Sequence, residues 1–119
     1  MSGGALQPAP RAAAECLLRP ALESDLDAIW AIESAVFGAE AWSREMMREE
    51  LTADHRCYLA LVDRAGGMLG YGGLLSVGDE GDIQTVALAP AARGAGHGRR
   101  LMNALLDAGR DRGVRQVFL

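Results

Sequence analysis

Residues 93–98 read Arg-Gly-Ala-Gly-His-Gly, with glycine at every second position after the arginine. Glycine lets the main chain turn sharply and bring successive N–H groups against a ligand. The flanks give this loop its place. Before it, Asp82-Ile83-Gln84-Thr85-Val86-Ala87-Leu88 is a run of strand formers stopped by Pro90. After it, Leu101, Leu105 and Ala108, with Met102, Ala104 and Leu106, recur at helical spacing opposite Asn103, Asp107, Arg110 and Asp111. Strand, glycine turn and amphipathic helix in succession place the loop at a helix N-terminus, where unpaired N–H donors and the helix dipole favour an anion. Arg99 and Arg100 stand in the first turn of that helix. The dipole disfavours cations there, and a bound phosphate reverses the penalty.

The distribution of charge agrees. The formal net charge is −4, yet from Arg93 onward six arginines face two acids. An acidic chain with one basic end lacks the stripe that nucleic acid requires, and suits a small polyanion instead. The sequence contains no lysine, which excludes the Gly-Lys-Ser/Thr ending of a P-loop. A dinucleotide site wants G-x-G-x-x-G and an acid closing the next strand. Here the spacing is G-x-G-x-G, and residues 114–119 contain no acid. Cys16 and Cys57 stand far apart without a C-x-x-C, and His55 and His97 do not fall at ligand spacing with them. Neither a disulfide framework nor a metal site is indicated, and both cysteines are expected in the core. No segment approaches the roughly 18 apolar residues of a membrane span. No basic-then-apolar leader opens the chain. The expectation is a cytoplasmic protein with neither nucleic acid nor membrane as partner.

A length of 119 residues fits one domain, and with aromatics at 5% the packing falls to aliphatic side chains and alanine. Residues 1–14 are small residues and prolines without periodicity, expected to form a disordered tail ahead of a domain over 15–119. Residues 15–20 predict a first strand. Ser24 predicts the N-cap of a helix with Leu26, Ile29, Trp30, Ala31, Ile32 and Phe37 on its stripe and Gly38 at its end. Ser43 predicts the cap of a second helix carrying Met46, Met47 and Leu51, with Trp42 as a staple over its start. Residues 57–62 and 68–77 predict a hairpin around Asp63-Arg64-Ala65-Gly66-Gly67, and Gly78-Asp79-Glu80-Gly81 a second turn. Gly70, Gly72 and Gly73 mark a bulge or a close approach of backbone in the second of these strands. Gly113 stops the last helix before a strand over 114–119.

Arg93-Gly94-Ala95-Gly96-His97-Gly98 after Val86-Ala87-Leu88-Ala89-Pro90 resembles the pyrophosphate loop of the GNAT N-acetyltransferases, [Q/R]-x-x-G-x-[G/A], which bind acetyl-coenzyme A. The resemblance covers residues 15–119. With Trp42-Ser43 opening the second helix, the chain is most similar within that superfamily to the ribosomal-protein-alanine N-acetyltransferases. It implies an α/β (α+β) GNAT fold: a mixed, mostly antiparallel sheet with helices on both faces. It implies acetyl-CoA as co-substrate and no metal. The pantetheine arm would lie on the main chain of Val86, Ala87 and Leu88. The pyrophosphate would lie on Gly94, Ala95, Gly96, His97, Gly98 and Arg99, with Arg93 opening the motif. These contacts are mostly main-chain, which makes His97 a loop filler rather than a base. The implied activity is direct acetyl transfer to an amine, that of the N-terminal alanine of a ribosomal protein. The alternatives are a small-molecule amine, or a non-catalytic acyl-CoA-binding module.

The family pattern continues past its last strand here with Glu-Val-Arg, then Asn, then Leu-Tyr and Gly-Phe; the glutamate is its usual base and the tyrosine its usual acid. Both would lie beyond Leu119, so the catalytic residues are unknown from this chain. The expectation is a GNAT domain truncated after its fifth strand, with an open apolar edge from residue 114 onward. Asp82 could stand in as a base, although aspartate beside glycine is ordinary at the end of a turn.

Overall fold

The computed structural model describes residues 16–119; the expected tail over 1–14 lies outside them. Five strands form one sheet in the order β1 (Leu17–Pro20), β2 (Arg56–Val62), β3 (Met68–Val77), β4 (Glu80–Leu88) and β5 (Gln116–Phe118). The first four pair antiparallel, and β5 runs parallel to β4. Helices α1 (Leu26–Phe37) and α2 (Arg44–Thr52) follow β1, and α3 (His97–Asp111) crosses over from β4 to β5. This is the mixed sheet with helices on both faces that the sequence implied. On one face Leu26, Ile29 and Ile32 of α1 and Met47 of α2 pack with Tyr58, Tyr71 and Ala87. On the other, Leu101 of α3 packs with Leu61 and Cys16, with Leu69, Val86 and Leu88 against them. Ile29, Met47, Leu61, Tyr71, Leu74, Leu101 and Leu105 are fully buried, and each contributes roughly 1.5–3 kcal/mol.

The helix starts divide. Ser43 Oγ accepts from Met46 N–H at 3.1 Å, the expected cap of α2. Ser24 does not cap α1, because a 3-10 turn over Glu23–Asp25 precedes that helix. Asp25 does the local work instead. Its carboxylate accepts from Leu22 N–H at 2.7 Å and, through both oxygens, from Arg19 at 2.7 and 2.8 Å. The Arg19 hydrogen bonds hold the Asp25 carboxyl below its ordinary value. A depressed value in the folded state stabilises above the unfolded pKa of about 3.9, and that stabilisation is lost as pH falls through the folded value. Asp25→Asn is therefore expected to cost about 1 kcal/mol near pH 7, allowing for solvent screening at a partly exposed pair. Denaturant midpoints for the two proteins should converge as the pH falls through the folded-state value; a gap independent of pH would refute the assignment.

The stripe of α1 is narrower than its sequence suggests. Trp30 and Phe37 are exposed, and Glu33 takes a place inside beside Ile29 and Ile32. In α2, Met47 is buried while Met46 points outward. The second turn is only two residues long, since Glu80 and Gly81 already pair with Val77 and Ser76. Both readings of the β3 glycines hold. The ladder is irregular at Gly73/Leu74, and a Cβ on Gly73 would sit 2.3 Å from the Tyr58 ring. A Cβ on Gly72 would sit 2.9 Å from Leu105 Cδ1, so its absence lets α3 seat on the sheet. Val114, expected to begin the last strand, is instead buried against Gly81 and Gly109. Strand pairing starts at Gln116, and Val117, Phe118 and Leu119 form the exposed apolar edge that was expected.

Candidate functional site

Beyond β4 the chain makes one 3-10 turn, Pro90–Ala92, and enters the glycine loop. Gly94 and Gly96 have φ of 90° and 84°, values that only glycine adopts without strain. A Cβ on either would meet no atom within 4 Å, so conformation and not crowding demands glycine at both. Gly96 caps α3, and its carbonyl accepts the first helical bond, from Arg100 N–H at 3.1 Å. The N–H groups of His97, Gly98 and Arg99 are then the first-turn donors without helical partners. Arg93, Gly94, Ala95, Gly96 and Arg99 are all exposed. The expected residues thus come together at the N-terminus of α3.

Two details differ. His97 and Gly98 belong to the helix rather than to the loop, and the His97 side chain is buried at 5% exposure. His97 therefore fills core beneath the cradle rather than filling the loop. With Arg93 and Ala95 it lines a cavity of about 490 Å³ that also takes in Cys16, Asp63, Arg64 and Leu69. That cavity touches none of Val86, Ala87 and Leu88. Along those residues β4 offers an edge and not a hollow.

The edge follows from the ladder. Ala89 N–H donates to Leu69 O at 2.8 Å, so that pair is hydrogen-bonded across β3 and β4. Antiparallel pairs alternate, and the register sets Tyr71 opposite Ala87 and Gly72 opposite Val86. The main-chain groups of Ala87 are thereby turned toward Tyr71, while those of Val86 and Leu88 face away from β3. On that side β5 covers only Glu80, Gly81 and Asp82. Among the described residues, β4 from Ile83 onward has no neighbour there. Of the three expected pantetheine contacts, two are open for hydrogen bonding; Ala87 is occupied by its own sheet.

Asp82 lies in the paired part of β4, opposite Leu75 and Phe118, and is exposed. It is a strand residue rather than the end of a turn, and it lines neither the large cavity nor the smaller one described next. Among the described residues no three His, Cys, Asp or Glu side chains converge as a metal set would.

A second hollow, of about 150 Å³, opens on the α1 face and is lined by Glu33, Phe37, Glu40, Trp42, Gln84 and Thr85. Glu33 is its buried member, at 3% exposure. One oxygen accepts a short hydrogen bond from the Tyr71 hydroxyl, and the other accepts from Trp42 N–H at 2.9 Å. Burial, and then the Glu33 carboxylate, push the Tyr71 phenol far above its ordinary value, so it remains a donor. Thr85 Oγ1, buried against that phenol, opposes the rise as a donor, at a geometry too loose for a full hydrogen bond. Trp42 packs against the core cluster that contains Met47, as a staple does, and it also walls this hollow. Sequence reasoning missed Glu33, although an acid one residue after Ile32 and four after Ile29 falls on the apolar stripe.

Comparison with known proteins places this geometry. Over 85 residues the chain is 35% identical to the N-alpha-acetyltransferase RimI of Mycobacterium tuberculosis, covering 66% of this chain and 52% of that protein. The crystal structure of the ribosomal-protein-S18-alanine N-acetyltransferase from Escherichia coli superposes with a TM-score of 0.78 at 24% identity, covering 86% of this chain and 64% of that one. AAC(6')-Iy, in complex with the bisubstrate analogue CoA-S-monomethyl-acetylneamine, superposes at 0.71 with 16% identity, covering 86% and 76%. The chain spans 24% to 62% of the length of the curated relatives it matches. The model of the acetyltransferase (GNAT) family matches residues 25–119, from the start of α1 through the glycine loop to β5, and the chain belongs to that family.

Proposed function

We propose that this protein is an acetyl-CoA-dependent N-acetyltransferase whose acceptor is the N-terminal alanine amine of a ribosomal protein. The observation that carries the reading is the continuity of the open β4 edge with the left-handed glycine loop. Val86 and Leu88 offer main-chain groups on one flank of β4, and the chain passes from there through the Pro90–Ala92 turn to the first-turn N–H groups of α3. An extended amide-bearing arm that ends in a pyrophosphate needs hydrogen bonds in that order. Gly94 and Gly96 turn the main chain around the phosphates, and Arg93 and Arg99 add positive charge beside them. Bound in this way, acetyl-CoA would supply the thioester: the amine nitrogen would bond to the acetyl carbon as the carbon–sulfur bond breaks, and the proton given up by the amine would leave with coenzyme A as its thiol. The protein's part is to hold the carbonyl and the amine in register and to keep water out. The alanine acceptor is supported by the Trp42-Ser43 start of α2 and by likeness to enzymes named for that reaction. A cytoplasmic setting suits a chain whose Cys16 and Cys57 are not joined in a disulfide.

The test is calorimetric titration with acetyl-CoA, with ATP and NAD as controls, followed by mass spectrometry of an alanine-starting peptide after incubation with both partners. Binding of acetyl-CoA alone and an acetylated peptide is the expected result. A folded chain that binds no acetyl-CoA would sink the coenzyme reading. Binding without transfer to any amine would favour the non-catalytic module.

A further inference from the structure

The carboxylate of Glu33 has two neutral donors and, among the described residues, no cation. Arginines pair instead with Asp25, Asp27, Glu50 and Asp107, and the chain has no lysine to offer. A buried carboxylate without a positive partner is an expensive arrangement. It also has room for more hydrogen bonds, because two carboxylate oxygens accept about four and the protein supplies two. The free capacity borders a hollow. Two aromatic residues, Phe37 and Trp42, wall that hollow, a second carboxylate, Glu40, stands exposed beside it, and Gln84 and Thr85 complete its lining. Aromatic faces and carboxylates together recognise an ammonium group.

Position relates this hollow to the coenzyme edge. Gln84 is the extra residue of a bulge, since Gly73 pairs with Thr85 and Leu74 with Ile83. Gln84 and Thr85 therefore reach the α1 face, one residue before the open main-chain groups of Val86, about 3.3 Å further along the strand. A volume of about 150 Å³, roughly five times the share of one water, accommodates an amino group with a small side chain.

Resting on the transferase reading above, we propose that Glu33 is the group that receives the acceptor's amine, and that its pocket selects a primary ammonium on a carbon bearing a small substituent. The Tyr71 hydroxyl and Trp42 N–H hold the carboxylate in one orientation, on a residue that lines the hollow. The same contacts tie the segment after α1 to the sheet.

The experiment uses the whole chain loaded with coenzyme A and two probes, a short alanine-starting peptide and its Nα-acetylated twin. The wild-type protein is expected to prefer the free amine by about tenfold or more, the ordinary worth of a charge-assisted hydrogen bond. Glu33→Gln keeps a carbonyl acceptor but removes the charge, and should bring the two peptides within about twofold of each other while leaving acetyl-CoA affinity unchanged. Equal preference in Glu33→Gln and wild type would overturn the proposal and leave Glu33 as a structural tie. Should that variant not fold, the Glu33 carboxyl ¹³C resonance of the wild-type protein decides. A shift with the free-amine peptide alone supports the proposal; an equal response to both peptides overturns it. Absence of amine preference in a chain that binds acetyl-CoA overturns this inference alone, whereas absence of acetyl-CoA binding overturns the transferase reading.

Discussion

Gly96→Glu is expected to lower acetyl-CoA affinity by about a hundredfold or more while leaving the far-UV spectrum unchanged. Two effects combine. The substituted residue must hold φ near 84°, a left-handed conformation that costs an L-residue roughly 1–2 kcal/mol. Relaxing that strain would re-aim the first-turn N–H groups of α3. The carboxylate would also stand among donors meant for phosphate, replacing a charge-assisted attraction of about 1.5–3 kcal/mol per bond with repulsion. The fold should survive, since nothing lies within 4 Å of the new Cβ. Gly96→Ala separates the causes, because it carries the strain without the charge and should lose only about tenfold. Calorimetry on the three proteins checks both numbers. Undiminished affinity in Gly96→Glu would mean that the phosphates bind elsewhere, the 490 Å³ cavity being the next place to look.

The second large effect is on stability. Gly70 faces α3, and a Cβ there would lie 2.6 Å from Leu88 Cδ2 and 2.8 Å from Ala87 O. The leucine can rotate; the carbonyl belongs to the β3–β4 ladder and cannot move without opening it. Gly70→Ala is expected to cost about 3 kcal/mol, at the upper end for overpacking. That is a large share of the roughly 5–15 kcal/mol that holds a domain together. Urea denaturation checks it, with Gly98→Ala as a control. A Cβ at Gly98 would meet Leu88 Cδ1 at an ordinary 3.7 Å, and alanine suits a helix better. Similar midpoints for Gly70→Ala and wild type would show that the two strands have slack. Coenzyme affinity should fall with stability in Gly70→Ala, because the displaced atoms belong to Ala87 and Leu88.

Much of this was legible in the sequence because local chemistry decides it. Proline, alternating glycines and an amphipathic run fix a strand, a loop and a helix within 30 or so residues, and Ser43 announces its helix through one hydroxyl. The misreadings arose where distant residues decide. Ser24 lost its cap because Arg19, from β1, recruits Asp25. Trp30 and Phe37 lost the core because α1 buries only the narrow side that meets Tyr58, Tyr71 and Ala87, and Glu33 entered it because the Tyr71 hydroxyl, far along the chain, was there to meet it. The main-chain division of labour between Ala87 and its neighbours depends on register, which side-chain alternation does not report.

That register is interrupted by design at Gln84. Ahead of the bulge Gly81 turns toward Val114 and Leu74, on the α3 side, whereas beyond it the residues on that side are Val86 and Leu88. Odd positions give way to even ones within a single strand. The extra residue acts as a phase shifter, letting the first half of β4 keep step with β5 while the second half presents Thr85 to one face and an unpaired edge to the flank. Removing Gln84 would restore a regular pleat and leave Val86 and Leu88 on the α3 side, so the bulge is a change of length in one strand that its partner's alternation never registers.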